Sequence, residues 1–189
     1  VGVDQPRIEA AVAEILAAIG EDRGRAGLAT TPQRVASAYA EFFAGLGQDP
    51  LDHLRDPVPV GDRTGELVLV RDIEFRSVCE HHLLPFLGVA HLAYLPGDSI
   101  VGLGKLANVV ETIAARPQLQ ERLTEEIADA LEAGLEPRGI LVMLDASHGC
   151  ITTRGPRQSR SSTVTLATRG DLTDPAARSE IIALIGGSL

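Results

Sequence analysis

Apolar positions along the chain fall at helical spacing near both ends and into extended apolar runs between them. Ile8, Val12, Ile15, Leu16 and Ile19 recur at the spacing of one helix face, with Pro6 near the start and Gly20 at the end, so the pattern predicts an amphipathic helix. A second helix is expected from Thr31 and Pro32, a capping residue followed by proline at the first helical position. It carries Val35, Tyr39, Phe42 and Phe43 on one side and stops before Gly45 and Gly47. Residues 48–65, rich in Pro, Gly and Asp, read as a linker, which makes residues 1–65 a helical appendage with its connection.

From Glu66 the pattern changes. Residues 67–75 and 87–95 are β-rich runs separated by a turn region from Cys79 to Pro85, the signature of a hairpin. Two helical stretches follow, one with Leu106, Val109, Val110 and Ile113, the other with Leu119, Leu123, Ile127, Ala130 and Leu131, with Pro117 between them. Further strands are expected at 139–145, 148–153 and 161–168, and Asp174-Pro175 opens a last helix carrying Ile181, Ile182 and Ile185. Strand runs flanking paired helices predict an α+β domain over 66–189, an antiparallel sheet with the helix pair on one face. The other face then needs cover, and a second subunit is the simplest source.

Composition narrows the function classes. The 189 residues carry a formal net charge of −9, which repels nucleic acid and anionic membranes, so a phosphorylated ligand would need a locally basic pocket. Aromatics are 3% of the chain and Trp is absent, leaving little for base-stacking platforms. No run approaches the roughly 20 apolar residues of a membrane span, and Asp4, Arg7, Glu9 and Glu14 interrupt the N-terminal apolar positions of any signal core. Two cysteines are too few for a disulfide framework, so a cytoplasmic, reducing location and metal binding or burial of the thiols are the expectations.

The candidate chemistry lies in two short segments. Cys79 and His82 sit three positions apart, so one turn can direct a thiolate and an imidazole at one ion. If 148–153 is a strand, His148 and Cys150 face the same side, with Gly149 between them. Cys79, His82 and Cys150 supply three ligands, and an open fourth position would hold a water whose pKa zinc brings near ~7. His81 and His148 then remain as imidazoles able to move protons. Alternatively one of them closes the fourth position of a structural site. Arg154, Arg157 and Arg160 follow Cys150, and Lys105 lies near a helix start, a neighbourhood suited to phosphate, although such an arginine run also suits a solvated loop.

At these residues the sequence resembles the GTP cyclohydrolase I family. The similarity runs through residues 31–34, 70–73, 77–86, 93–96, 116–124, 148–150 and 154–155, in the family's order, and spans about three quarters of the chain. The resemblance implies a tunnelling fold assembled into a homodecameric ring with active sites at subunit interfaces. It implies that Cys79, His82 and Cys150 bind zinc, that zinc-activated water attacks C8 of GTP, and that formate and 7,8-dihydroneopterin triphosphate leave. His81 and His148 match residues that assist protonation during ring opening, and Gln120 and Glu121 match the pair that grips the guanine edge. Lys105, Arg154 and Arg34 match triphosphate contacts, Arg34 reaching in from a neighbouring subunit. Read without the resemblance, Gln120 and Glu121 belong to an exposed helix face and Arg34 to solvent.

Two positions depart from the family pattern. Gly104 stands where a serine touching the ribose is common, and Asn108 where an arginine helps hold phosphate. These departures raise an alternative reading, a paralogue acting on another guanine nucleotide or stopping at a ring-opened intermediate. A third reading, a non-catalytic ring protein with structural zinc, has no use for His81, His148, Gln120 and Glu121 in one pocket.

Overall fold

The computed structural model of the chain describes residues 2–60 and 66–187. Helix α1 (Gln5–Ala18) starts where the Asp4 carboxylate accepts from the Arg7 amide at 3.1 Å, and it buries Val12 and Leu16. Helix α2 (Thr31–Phe42) pairs with it, burying Ala36, while Tyr39 and Phe43 bring their rings to 5.4 Å. Ile15 and Ile19, expected on the buried face of α1, are exposed, since α1 packs chiefly against α2.

The 48–65 segment is less of a free linker than its composition suggests. Pro50–Leu54 forms a 3₁₀ turn capped by Asp49, and Leu54 is buried against Gly134, where an added Cβ would come within 2.3 Å of the leucine side chain. Strand β1 (Val58–Pro59) follows, and residues 61–65 of the expected linker lie outside the described residues.

The sheet begins with β2 (Val68–Cys79) and β3 (Pro85–Leu95), antiparallel and longer than the apolar runs alone indicate. A bulge between Val70 and Ile73 places Asp72 at φ 59°. The chain continues through β4 (Ser99–Ile100), which pairs with β1, then α3 (Leu103–Ala114), β5 (Pro117–Gln118) and α4 (Gln120–Leu135). It finishes with β6 (Gly139–His148), α5 (Gly149–Thr152), β7 (Thr163–Gly170) and α6 (Pro175–Gly186). The sheet order is β5-β2-β3-β6-β7. It is antiparallel except for β5, where the chain leaving α3 runs beside the end of β2 and pairs Gln118 with Cys79 in parallel.

Helices α3 and α4 cover one face, as expected of an α+β layer. Leu106, Val109 and Ile113 of α3 and Leu123, Ile127 and Leu131 of α4 are fully buried against the strands. The chain itself covers part of the opposite face, which differs from the expectation of cover by a second subunit alone. Leu172 and Ile181, from the 171–173 turn and α6, pack on Ala93 and Leu141, and Arg71 anchors the helix by donating to Leu184 O and Gly187 O, each at 3.0 Å. Leu87, farther along β3, and Val164 and Leu166, on β7 (Thr163–Gly170), stay exposed.

A further correction concerns 148–153. The strand ends at His148 and Gly149–Thr152 turns helical, so His148 and Cys150 do not owe their proximity to strand alternation.

Candidate metal and active site

Cys79 is the last residue of β2 and is buried beneath the helix layer. Its amide donates to Leu84 O at 2.9 Å, and its carbonyl accepts from the Leu83 amide at 2.8 Å, with Leu83 at φ 51°. This tight reversal brings His82 back over the cysteine. Cys150 arrives from the other side of β3, one residue inside α5. An added Cβ on Gly149 would lie 2.8 Å from Pro85 O, so glycine is what allows the β6–α5 corner to approach the start of β3 this closely.

The two turns meet. The ligand atoms of Cys79, His82 and Cys150 all lie within 4.8 Å of one another, and no further His, Cys, Asp or Glu among the described residues joins the group. Burial raises the Cys150 thiol pKa, and the neighbouring Cys79 raises it further. Ionising both sulfurs therefore calls for a cation between them, and the three residues can hold a metal ion.

His148 stands beside this group with its ring stacked on Phe86, centroids 4.6 Å apart and planes 5° from parallel. Its Nε2 lies 2.7 Å from Gln120 Oε1. Burial lowers the His148 pKa, with Glu121 opposing the shift. His81 is exposed next to His82, their rings 6.2 Å apart. Glu121 is exposed in the first turn of α4, where the helix terminus favours its negative charge.

The sequence matches the family model for GTP cyclohydrolase I over residues 8–186. The chain belongs to the GTP cyclohydrolase I family. Among its relatives, the GTP cyclohydrolase 1 of Leifsonia xyli subsp. xyli is 64% identical over 185 residues, covering 98% of this chain and 97% of the relative. That of Halalkalibacterium halodurans is 52% identical over 187 residues, covering 98% of each. Among solved structures, an apo archaeosine synthase QueF-Like superposes with a TM-score of 0.48 at 16% identity, covering 57% of this chain and 97% of the other.

For a GTP cyclohydrolase I family chain, the positions singled out by sequence divide into two groups. Cys79, His82, Cys150, His81, His148, Gln120 and Glu121 gather where the metal-end turns meet the start of α4. Arg154, just past α5, is close enough to act on the Cys150 thiol. Lys105 lies elsewhere. It sits at the far end of the helix layer: the Arg55 carbonyl it reaches follows Leu54, which packs on Gly134, about 21 Å along α4 from Gln120. Its ammonium donates to Arg55 O at 2.6 Å. Arg34 is exposed on α2. A cavity of 460 Å³ between α2, β2 and α3 contains none of these residues.

Gln120 differs most from its sequence reading. It is 1% exposed, and both polar atoms of its side chain are engaged inside the protein rather than presented on a helix face.

Three contributors were not apparent in the sequence. Phe86 supplies the surface on which His148 stacks. Arg122 and Gln118 tie the ligand-bearing turn to α4: Arg122 reaches Glu80 at 2.6 Å and Gln118 Oε1 at 3.0 Å, and Gln118 O accepts from the Glu80 amide. The one available signal was Glu80 itself, a charged residue held between a buried ligand and two histidines.

Proposed function

We propose that this chain hydrolyses the purine ring of GTP at C8, releasing formate and forming 7,8-dihydroneopterin triphosphate, with zinc held by Cys79, His82 and Cys150. The observation that carries the reading is the convergence of two thiols and an imidazole within 4.8 Å, beside His148, in a member of this family. Tetrahedral zinc, with bonds of about 2.3 Å to sulfur and 2.0 Å to nitrogen, places its ligand atoms about 3.4–3.8 Å apart, so the group needs little movement to close on it. Three protein ligands with a free corner is the stoichiometry of a catalytic rather than a structural site. Bound zinc supplies Lewis-acid activation of the water that attacks C8.

The chain's own residues account for the remaining steps. His148, neutral because burial lowers its pKa, is suited to accept a proton as water adds to C8 and to return it to a ring nitrogen as the C–N bond breaks. His81, exposed on the ligand turn, is the second imidazole available for ring opening. Glu121 accepts from the guanine ring N–H and exocyclic amine, a pair of contacts that an adenine ring does not offer. Arg154 holds phosphate beside the metal.

Lys105 lies at the opposite end of the helix layer from the metal ligands of its own chain, which supports a role in the site of another copy. It and Arg34 act in the sites of neighbouring copies, and the working form is a ring of copies, ten by the family pattern. The helical appendage of residues 1–65 would carry Arg34 to its neighbour, while residues 66–189 hold the metal. Two free thiols as ligands suit a reducing, cytoplasmic setting, and among the described residues no helix is long and apolar enough to cross a membrane.

The paralogue reading raised by Gly104 and Asn108 is not favoured. Relatives 52% and 64% identical over nearly the whole length share the name GTP cyclohydrolase 1.

The direct test is formate release and pterin fluorescence after oxidation when GTP is added to zinc-loaded protein. Formate in step with the pterin supports the reading. No formate from protein carrying one zinc per chain would overturn it.

A further inference from the structure

Gln120 carries an inference beyond the guanine contact that family resemblance suggests. Its Nε2 lies 2.8 Å from Thr163 O and 3.3 Å from Leu144 O, two main-chain carbonyls that can only accept. That fixes which end of the amide is nitrogen. The hydroxyls agree: Thr124 Oγ1 donates to Gln120 O at 2.7 Å, so it accepts from Thr165 Oγ1 at 2.6 Å, and Thr165 Oγ1 in turn accepts from Gln120 Nε2 at 3.1 Å. The circuit is consistent only with Nε2 as donor. Gln120 Oε1 is therefore the atom 2.7 Å from His148 Nε2, and a carbonyl oxygen there requires a proton on that ring nitrogen.

We propose that Gln120 is a positioning residue, whose side-chain carbonyl accepts Nε2–H of His148, fixes that tautomer and leaves Nδ1 as the nitrogen that exchanges protons with substrate. The opposite tautomer would set two lone pairs against each other at 2.7 Å. Phe86 fixes the ring plane from one face, so the imidazole is constrained both in plane and in tautomer. Among the described residues His148 Nδ1 has no hydrogen-bond partner, as a proton-exchanging atom requires. Gln120 itself is held by strands β6 and β7, through Leu144 and Thr163. The inference rests on the proposed role of His148 as proton carrier, and it changes Gln120 from a residue that binds guanine to one that orients the imidazole.

The test has two arms. In the assembled, zinc-loaded enzyme with ¹⁵N-labelled histidine, the His148 imidazole shifts are assigned by comparison with the His148→Asn variant. The expected result is a protonated Nε2 and an unprotonated Nδ1. Protonation at Nδ1 instead would overturn the proposal, and because this arm uses the unaltered chain it stands even if a Gln120 variant fails to fold. The second arm compares Gln120→Met with the parent for zinc content, KM for GTP and kcat of formate release. The expected result is full zinc, KM within about twofold and kcat lower by about 100-fold, the loss of an oriented proton carrier. A raised KM with unchanged kcat would return Gln120 to the role of gripping guanine. If the unaltered enzyme released no formate, the hydrolase reading would fall, while the tautomer would still be decided by the first arm.

Discussion

Arg122 Nη2 lies 2.6 Å from Glu80 Oε2, joining the turn that carries Cys79 and His82 to the helix that carries Glu121. An exposed ion pair of this kind is ordinarily worth about 0–1 kcal/mol. Here the guanidinium is also fixed by donating to Gln118 Oε1 at 3.0 Å and Pro117 O at 3.1 Å, so the fork is oriented before it meets Glu80. Arg122→Ala is expected to leave the fold intact and to weaken zinc binding by about tenfold, the low end of what outer partners of metal ligands contribute. Chelator competition gives the constant directly. An unchanged zinc affinity would mean that the turn holds its shape without α4.

Removing a ligand should separate metal from fold. Cys150 lies at the edge of the core, with the main cluster complete without it, so Cys150→Ser is expected to unfold at nearly the parent temperature. Zinc per chain should fall to near zero, and formate release from GTP to background. Metal analysis beside a thermal scan distinguishes this from a structural site, where loss of metal and loss of fold would coincide.

Gly149→Ala tests why the cluster closes. The new Cβ would lie 2.8 Å from Pro85 O, a backbone atom that cannot swing aside, so the corner bearing Cys150 must retreat from β3. The expected outcome is a folded protein with zinc affinity reduced by about tenfold or more. Gly102→Ala, where an added Cβ meets nothing within 4 Å, is the control for a neutral substitution. Equal zinc binding by the two variants would remove the packing explanation.

Stability should depend on pH through His91, on the sheet face opposite α3 and α4. Burial lowers its pKa below the ordinary 6.5, Asp72 and Asp145 oppose the shift, and Arg71 reinforces it. The Asp72 amide also donates to Nδ1 at 3.3 Å, which suits the neutral ring. The unfolded chain therefore binds the proton at higher pH than the fold does. The His91 contribution is full above about 6.5 and is lost as pH falls from there through the lower folded-state value. His91→Asn, which keeps an acceptor near that position, is expected to flatten the pH slope of the urea midpoint from about pH 7.5 to about 5.5. An unchanged slope would place the acid sensitivity elsewhere.

The sequence was most informative where one local rule acted alone. Periodicity located α3 and α4, and three-residue spacing paired Cys79 with His82. It was misleading where tertiary contacts decided the outcome. Gly149 reads as an ordinary strand residue, and only its approach to Pro85 O, where the chain leaves β6 for α5, shows why a glycine is needed there. Gln120 reads as a surface polar residue at the start of a helix, and only the position of β7 beside α4 shows that its amide fills a slot between two strands. Arg122, one of several charged residues on an amphipathic helix, has no local signal at all, since its partner Glu80 is 42 residues away. Lys105 illustrates a further limit, because its place near the Gly134 end of α4, away from Gln120, appears only once the packing of residues 50–55 on the helices is known.

Gly104 and Asn108 offer a last test, since the structure leaves room for the side chains the family pattern supplies. An added Cβ at 104 meets nothing within 4 Å, so the Cβ of Gly104→Ser clashes with nothing in its own chain. Asn108 lines a cavity of 370 Å³ together with Glu41, Glu111 and His53, so an arginine also fits. Its guanidinium would lie near Glu111, one helical turn along α3, and near Glu41 across the cavity, and both carboxylates compete with phosphate for it. The double variant is therefore expected to lower KM for GTP by about threefold to tenfold with kcat little changed, below the full value of a charge-assisted hydrogen bond. The gain should shrink as salt rises, because it rests on charge at a partly exposed site. A KM unmoved at low salt would show that Arg154 and its neighbours already hold the triphosphate without help from these two positions.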